Sequence, residues 1–144
     1  MIEQLRTLFA SVAAKLPPEA ARANEIRTDD ATIIELIPSA PGAAKVGIHV
    51  DQSGLIDFYF GSGATWELPY EGRDPNNANP EAMVAEAAEM LSAVVSGRCA
   101  EKRSLYGRTG IIYVGGERYR VVDIFTQWTL FPRTIHYRPY VEQW

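Results

Sequence analysis

The chain has few of the residues on which metal and redox sites depend. Its 144 residues include one cysteine, Cys99, and two histidines, His49 and His136. A single cysteine excludes an internal disulfide, and a transition-metal site would have to consist mostly of carboxylates. We therefore predict no metal site and no cofactor, and we expect Cys99 to be a small buried apolar residue.

Long apolar runs and the common catalytic motifs are also absent from the sequence. No apolar segment approaches the roughly 18 residues that a membrane span needs, and the first residues lack a basic, apolar leader pattern. The glycine-rich phosphate loops, H-E-x-x-H, C-x-x-C and the nucleophile motif G-x-S-x-G do not occur. These absences predict a cytoplasmic protein without a membrane segment, and they favour a non-enzymatic function.

The composition that remains is typical of a folded globular protein. Apolar residues make up 47% of the chain and charged residues 22%, and the length suffices to bury a core without disulfides or metals. The net charge is −4, but residues 1–97 carry an excess of acidic side chains whereas residues 98–144 carry an excess of basic ones. We predict a single α+β domain over residues 1–144, in which the two halves attract each other.

Hydrophobic periodicity predicts two main helices. In the first, from Ile2 to Leu16, apolar residues recur at spacings of three and four. The second begins after Asn79, a good N-cap residue, and ends at Gly97. Its buried side is predicted to consist of Met83, Ala87, Met90, Leu91, Val94 and Val95. The polar, alanine-rich residues 19–30 indicate a further short helix.

Runs of β-branched and aromatic residues predict strands in two groups. The first group comprises residues 32–37, 46–50, 55–60 and a short strand at 65–68. The second group comprises residues 99–106, 110–114, 117–125, 128–131 and 134–137. Short connections favour antiparallel pairing, and the order α-β-β-β-(β)-α-β-β-β-β predicts an antiparallel sheet with the two helices packed on one face.

The register of the first hairpin follows from matching the faces of its strands. If residues 52–54 form the loop, with Gly54 left-handed in a bulge, one face becomes wholly apolar. The pairs on that face are Val50 with Ile56, Ile48 with Phe58, and Val46 with Phe60. The other face then places His49 opposite Asp57, and Gly47 opposite Tyr59.

Two interpretations of the His49–Asp57 pair are open. A carboxylate beside an imidazole favours the charged imidazole, so the pair is either half of an acid–base dyad or a solvated cross-strand ion pair. We favour the ion pair, because no nucleophile, metal or electrophile is identifiable nearby. In the alternative, His49, Asp57 and Tyr59 supply the polar groups of a pocket between sheet and helices, as in a small-molecule-binding protein or an enzyme.

A second hairpin is predicted at the glycine pair 115–116, which suits a two-residue turn. The pairs would be Val114 with Glu117, Tyr113 with Arg118, Ile112 with Tyr119, Ile111 with Arg120, and Arg108 with Asp123. Tyr113, Arg118 and Arg120 would share a face that suits stacking on bases or holding phosphate. The net negative charge favours an ordinary outer sheet face instead, so nucleic acid ranks third among the partners considered.

The leading hypothesis is a non-enzymatic protein-binding module, because the chain has more aromatic residues than a core obviously needs. These residues are Trp66, Tyr70, Trp128, Tyr137, Tyr140 and Trp144. The partner is an unknown protein or a second copy, on which residues 140–144 would dock. In size and charge, though in no motif, the chain is similar to bacterial immunity proteins. The candidate binding residues are His49, Asp57, Tyr59, Trp66, Tyr113, Arg118, Arg120 and Trp128.

Overall fold

A computed structural model describes residues 1–68, 79–103, 108–114, 117–122 and 133–142. These residues contain two helices, α1 (Ile2–Lys15) and α2 (Pro80–Val95). Between the helices lie β1 (Ala21–Arg27), β2 (Ala31–Pro38), β3 (Val46–Asp51), β4 (Ile56–Phe60) and β5 (Ala64–Leu68). After α2 come β6 (Cys99–Arg103), β7 (Arg108–Val114), β8 (Glu117–Val122) and β9 (Arg133–His136).

The strands form two antiparallel sheets, so the predicted α+β class is confirmed. The first sheet has the order β1-β2-β3-β4-β5, and the second has the order β8-β7-β6-β9. A single sheet was expected from the sequence. The division arises because α2 separates the two groups of strands in the chain, and each group pairs only within itself in the described residues. The second sheet lies beside the first, with β7 and β8 next to β5.

Both predicted helices are confirmed, together with their buried sides. The apolar stripe of α1 is buried at Leu5, Phe9 and Val12, and all six apolar residues predicted for α2 are buried. The Asn79 side chain accepts a hydrogen bond from the backbone N–H of Glu81 at 2.9 Å, as an N-cap does. In the described ranges, neither helix combines the length and the apolar character that crossing a bilayer requires.

The short helix predicted within residues 19–30 is wrong, because this segment contains β1. The backbone N–H of Thr28 donates to the carbonyl of Ala31 at 2.9 Å, and its hydroxyl accepts from the Ala31 N–H at 3.0 Å. This turn folds β1 back onto β2 with Arg27 opposite Thr32. Pairing along the whole of β2 therefore overrides the weak helix preference of an alanine-containing segment.

The predicted register of the first hairpin is confirmed at every pair. Gly54 has φ of +86°, which is the left-handed conformation that the bulge requires. The Asp51 carboxylate accepts hydrogen bonds from the hydroxyl of Ser53 at 2.7 Å and from the backbone N–H of Leu55 at 2.9 Å. The side chain that opens the loop therefore stabilises it.

The second predicted hairpin also has the predicted register, from Val114 opposite Glu117 to Ile111 opposite Arg120. The glycine pair of its turn and the proposed partner Asp123 lie outside the described residues. The same is true of the predicted strand at 128–131 and of most of the long loop before α2.

A continuous apolar core joins both helices, the inner face of the first sheet and part of the second sheet. Trp66 lies within it and is only 1% exposed. Its ring stacks on Phe60 at 5.1 Å between ring centres and meets Phe58 edge-on at 6.4 Å. The expectation that Trp66 belongs to a binding surface is therefore wrong, because the side chain fills the core.

Candidate functional site on the open face of the first sheet

The first sheet has one face packed in the core and one face turned towards solvent, which we call the open face. Cross-strand pairing and alternation define its residues. They are Asn24, Ile26, Ile33, Glu35, Ile37, Gly47, His49, Asp57, Tyr59, Thr65 and Glu67. All of them except Glu35 and Gly47 are half-buried or exposed.

The predicted pair of His49 and Asp57 lies at the centre of the open face. His49 Nδ1 and Asp57 Oδ2 are 3.6 Å apart, with 38% and 30% of the two side chains exposed. This distance is too long for a hydrogen bond and short enough for an ion pair when the imidazole is protonated. The geometry is that of a solvated cross-strand pair.

Tyr59 is directed away from this pair. Its hydroxyl donates a 2.6 Å hydrogen bond to Glu35 Oε1, two strands away. The hydroxyl end of the ring lies over Gly47, where a Cβ atom would come within 2.6 Å of Tyr59 Cζ. Glycine at this position gives Tyr59 the space to reach across β3. The three residues predicted to act together therefore form two separate contacts.

Glu35 is the centre of a network that the sequence analysis missed. It is 6% exposed and accepts hydrogen bonds from Lys45 Nζ at 2.8 Å, from Tyr59 and from Asn24 Nδ2 at 3.1 Å. Burial alone would raise the pKa of Glu35, but the hydrogen bonds from Lys45, Tyr59 and Asn24 together hold it below its usual range. A single carboxylate inside the apolar run of residues 33–37 was the signal for a buried, partnered charge.

These contacts suit recognition better than proton transfer. Burial, and then the Glu35 carboxylate, raise the pKa of Tyr59, so its hydroxyl stays protonated at neutral pH. Both oxygens of Glu35 accept hydrogen bonds from protein groups. Neither group is therefore poised to act as a general base. Lys45 Nζ also lies 5.5 Å from the centre of the Tyr59 ring, which adds a cation–π contact.

The pocket predicted between sheet and helices does not include His49, Asp57 or Tyr59, because these residues lie on the face opposite the helices. One surface cavity of about 300 Å³ lies beside Pro17 and Tyr140. Another, of about 260 Å³, lies beside Asp29. None of the three predicted residues lines either cavity.

The other predicted site residues lie apart from the open face. Tyr113 is half-buried on β7 in the second sheet, opposite Arg118. Arg120 stands opposite Ile111 in the same sheet. Trp128 lies outside the described residues.

Tyr140 anchors the C-terminal segment to the first sheet. It is buried, and its hydroxyl contacts the carbonyl oxygens of Leu36 at 3.2 Å and Ala44 at 2.7 Å. The expectation that residues 140–144 dock on a second copy is therefore wrong for Tyr140, which completes the core of its own chain. Tyr137 is half-buried and packs edge-on against Phe60.

Glu101 is a second buried carboxylate that the sequence analysis missed. It is fully buried and accepts hydrogen bonds from the Ser62 backbone N–H at 2.8 Å and from the Ser62 hydroxyl at 2.7 Å. The glycine-rich turn at 61–63, interpreted from sequence as a bend, thus holds a carboxylate of β6. This contact ties the first sheet to the second.

In the part of the chain that the structure describes, no group of three or more histidine, cysteine or acidic side chains is placed to hold a metal ion. Comparison with protein-family models, with curated proteins and with solved structures gave no match. Function is therefore argued from the surfaces of this chain alone.

Proposed function

We propose that this chain is a non-enzymatic interaction module that binds a protein partner through the open face of the first sheet. The observation that carries the proposal is a sheet face, opposite the helices, on which apolar side chains lie beside a polar network with a fixed geometry. The cytoplasmic location stays a prediction from composition.

The apolar part of the surface lies at the β1 end of the open face. Ile26 is 44% exposed and stands directly opposite the half-buried Ile33. Ile37 lies on the same face, further along β2. Fully burying an isoleucine contributes roughly 1.5–3 kcal/mol, so a partner that covers this pair would gain a stable centre for an interface.

The polar part supports binding because its side chains are ordered before a partner arrives. Glu35 holds Asn24, Lys45 and Tyr59 in one arrangement. Ordering a flexible side chain on binding costs about 0.5–1.5 kcal/mol, and this network avoids most of that cost. Lys45 and Tyr59 thus present a charge and a ring in fixed positions, as residues at the centre of interfaces do.

The test compares Ile26→Lys with Ala10→Lys in the full chain. Both residues are exposed, but Ala10 lies on α1, away from the open face. The immobilised wild type and each variant are exposed to an extract of the native host, and bound proteins are quantified by mass spectrometry. We expect a protein retained by the wild type and by Ala10→Lys to be lost with Ile26→Lys. Circular dichroism and unfolding midpoints show whether the variants remain folded.

Two results would overturn the proposal. One is that no protein is retained specifically by the wild type; the other is that Ile26→Lys retains the same protein as the control. If the retained protein is a second copy of the chain, light scattering at micromolar concentration should show a dimer that Ile26→Lys abolishes. A monomer under these conditions leaves a different protein as the partner.

A further inference from the structure

Three arginines stand directly opposite one another across the second sheet, and we call them the arginine row. Arg103 of β6 is paired with Arg108 of β7 on one side and with Arg133 of β9 on the other. Residues paired in this way have Cα atoms about 4.5–5.5 Å apart. Like charges directly opposite each other destabilise a sheet, so the row favours the binding of an anion.

One carboxylate of the protein orients the middle arginine. Arg103 Nε donates to Glu101 Oε2 at 3.2 Å, while 42% of the Arg103 side chain stays exposed. Glu101 is in turn held by Ser62, so the guanidinium is supported by a buried, hydrogen-bonded base. A preoriented guanidinium suits the two-pronged recognition of a carboxylate or phosphate.

The surroundings of the row are positively charged and lack compensating acids. Arg133, Arg98 and Arg138 are exposed, and Lys102 is half-buried. Among the described residues, none of these four forms an ion pair. Every described arginine or lysine that does so, apart from Arg103, lies before residue 50.

We propose that the arginine row binds an acidic helix of the protein partner, with glutamates or aspartates three and four residues apart. Such residues have Cβ atoms about 5–6 Å apart on one helix face, which matches the spacing of the row. A nucleic acid fits less well, because it needs a long cationic track, whereas the chain carries a net charge of −4. That the helix belongs to a protein rests on the proposed function.

The test uses the full chain and a labelled alanine-based helical peptide of about 20 residues, with glutamates four apart on one face. Its affinity is measured by fluorescence anisotropy at about 50 mM and about 300 mM salt. Three probes serve for comparison: a peptide of the same composition with the glutamates spread around the helix, a lysine analogue, and an oligothymidylate. We expect the one-faced acidic peptide to bind best, and more weakly at high salt.

The variants are Arg133→Gln and Arg22→Gln, which remove the same charge. Arg22 is exposed on β1 and, within the described ranges, also has no ion pair. We expect Arg133→Gln to weaken peptide binding roughly tenfold, as loss of a charge-assisted hydrogen bond does, and Arg22→Gln to leave it within about twofold. Arg133→Lys keeps the charge without the planar fork and should lie between them.

Three outcomes would overturn the inference: equal effects of Arg133→Gln and Arg22→Gln, equal binding of the one-faced and spread peptides, or tighter binding of oligothymidylate. Failure of the proposed function is distinguishable, because it appears as an unchanged protein capture by Ile26→Lys. That result would leave peptide binding at the arginine row intact. Conversely, loss of peptide binding with partner capture retained would reject only the acidic helix.

Discussion

Two glycines of the first sheet are required for different physical reasons. Gly54 has φ of +86°, a conformation that side chains with a Cβ disfavour. Gly47 instead provides space, because a Cβ there would lie 2.8 Å from the carbonyl oxygen of Ile34 and close to Tyr59. Backbone conformation at the first and close approach at the second therefore determine the hairpin and the Tyr59–Glu35 contact.

Replacing Gly54 with valine should lower the free energy of unfolding by about 1–3 kcal/mol, and replacing it with alanine should cost less. Space is not the cause, since the nearest atom to a Cβ at this position is Met1 Cε at 3.9 Å. The cost arises because a β-branched side chain is forced into a left-handed conformation. Urea unfolding of the two variants measures it, and equal losses would show that the conformation of Gly54 is not limiting.

At the scale of elements, the C-terminal segment after β9 holds the two sheets together. The Arg138 backbone N–H donates to the carbonyl of Gly42 at 2.9 Å, and the Tyr140 N–H donates to the carbonyl of Val95 at 2.9 Å. The Tyr140 hydroxyl adds its contacts to β2 and to Ala44. The segment thus contacts α2 and the first sheet while continuing from the second sheet.

Tyr140→Phe should lower the free energy of unfolding by about 1–3 kcal/mol, because it removes a buried hydroxyl donor and leaves carbonyl oxygens without it. The ring stays in place, so the loss isolates the hydrogen bond from the packing. The exposed neighbour Glu142 offers a control, and Glu142→Gln should change stability by less than about 0.5 kcal/mol. If thermal unfolding gives the same midpoint for Tyr140→Phe and the wild type, the hydroxyl does not anchor the segment.

At the scale of the whole molecule, the opposite charges of the two halves do not meet as ion pairs in the described residues. Each ion pair joins residues of the same half. The polar link that we find between the sheets is the buried contact of Glu101 with Ser62. The predicted attraction between halves is therefore not expressed in close contacts, and the basic residues of the second sheet stay available for other anions.

Cys99 reports on the unfolding of the whole molecule, because it is 2% exposed within the shared core. Burial, with a smaller contribution from Glu101, raises the pKa of the Cys99 thiol to about 12. The thiolate is the reactive form, so a raised pKa keeps the folded thiol unreactive at neutral pH. Labelling by a disulfide reagent between about pH 7 and pH 9 should therefore be slow and limited by unfolding.

The control is the same reaction in concentrated urea, where labelling should be fast and should accelerate as pH approaches the ordinary thiol pKa of about 8.5. Rapid labelling of the folded protein, with a rate that rises in proportion to the thiolate fraction of a free cysteine, would show that Cys99 is reached without unfolding.

The amino-acid sequence alone determined the helices, most strands and both hairpin registers, because these depend on local signals. A stripe at spacings of three and four fills one helix side, and alternation around Gly54 permits only one register that keeps a face apolar. The opposition of His49 and Asp57 followed from that register without any assumption about function.

Only the tertiary structure decided which of these faces are covered. Residues 21–27 form β1 because β2 offers a complete ladder, and Trp66 and Tyr140 are buried because distant elements pack on them. The networks of Glu35 and Glu101, and the alignment of the three arginines, join residues far apart in the chain. Such contacts depend on how strands and sheets are placed in space, which the pattern along a single segment does not contain.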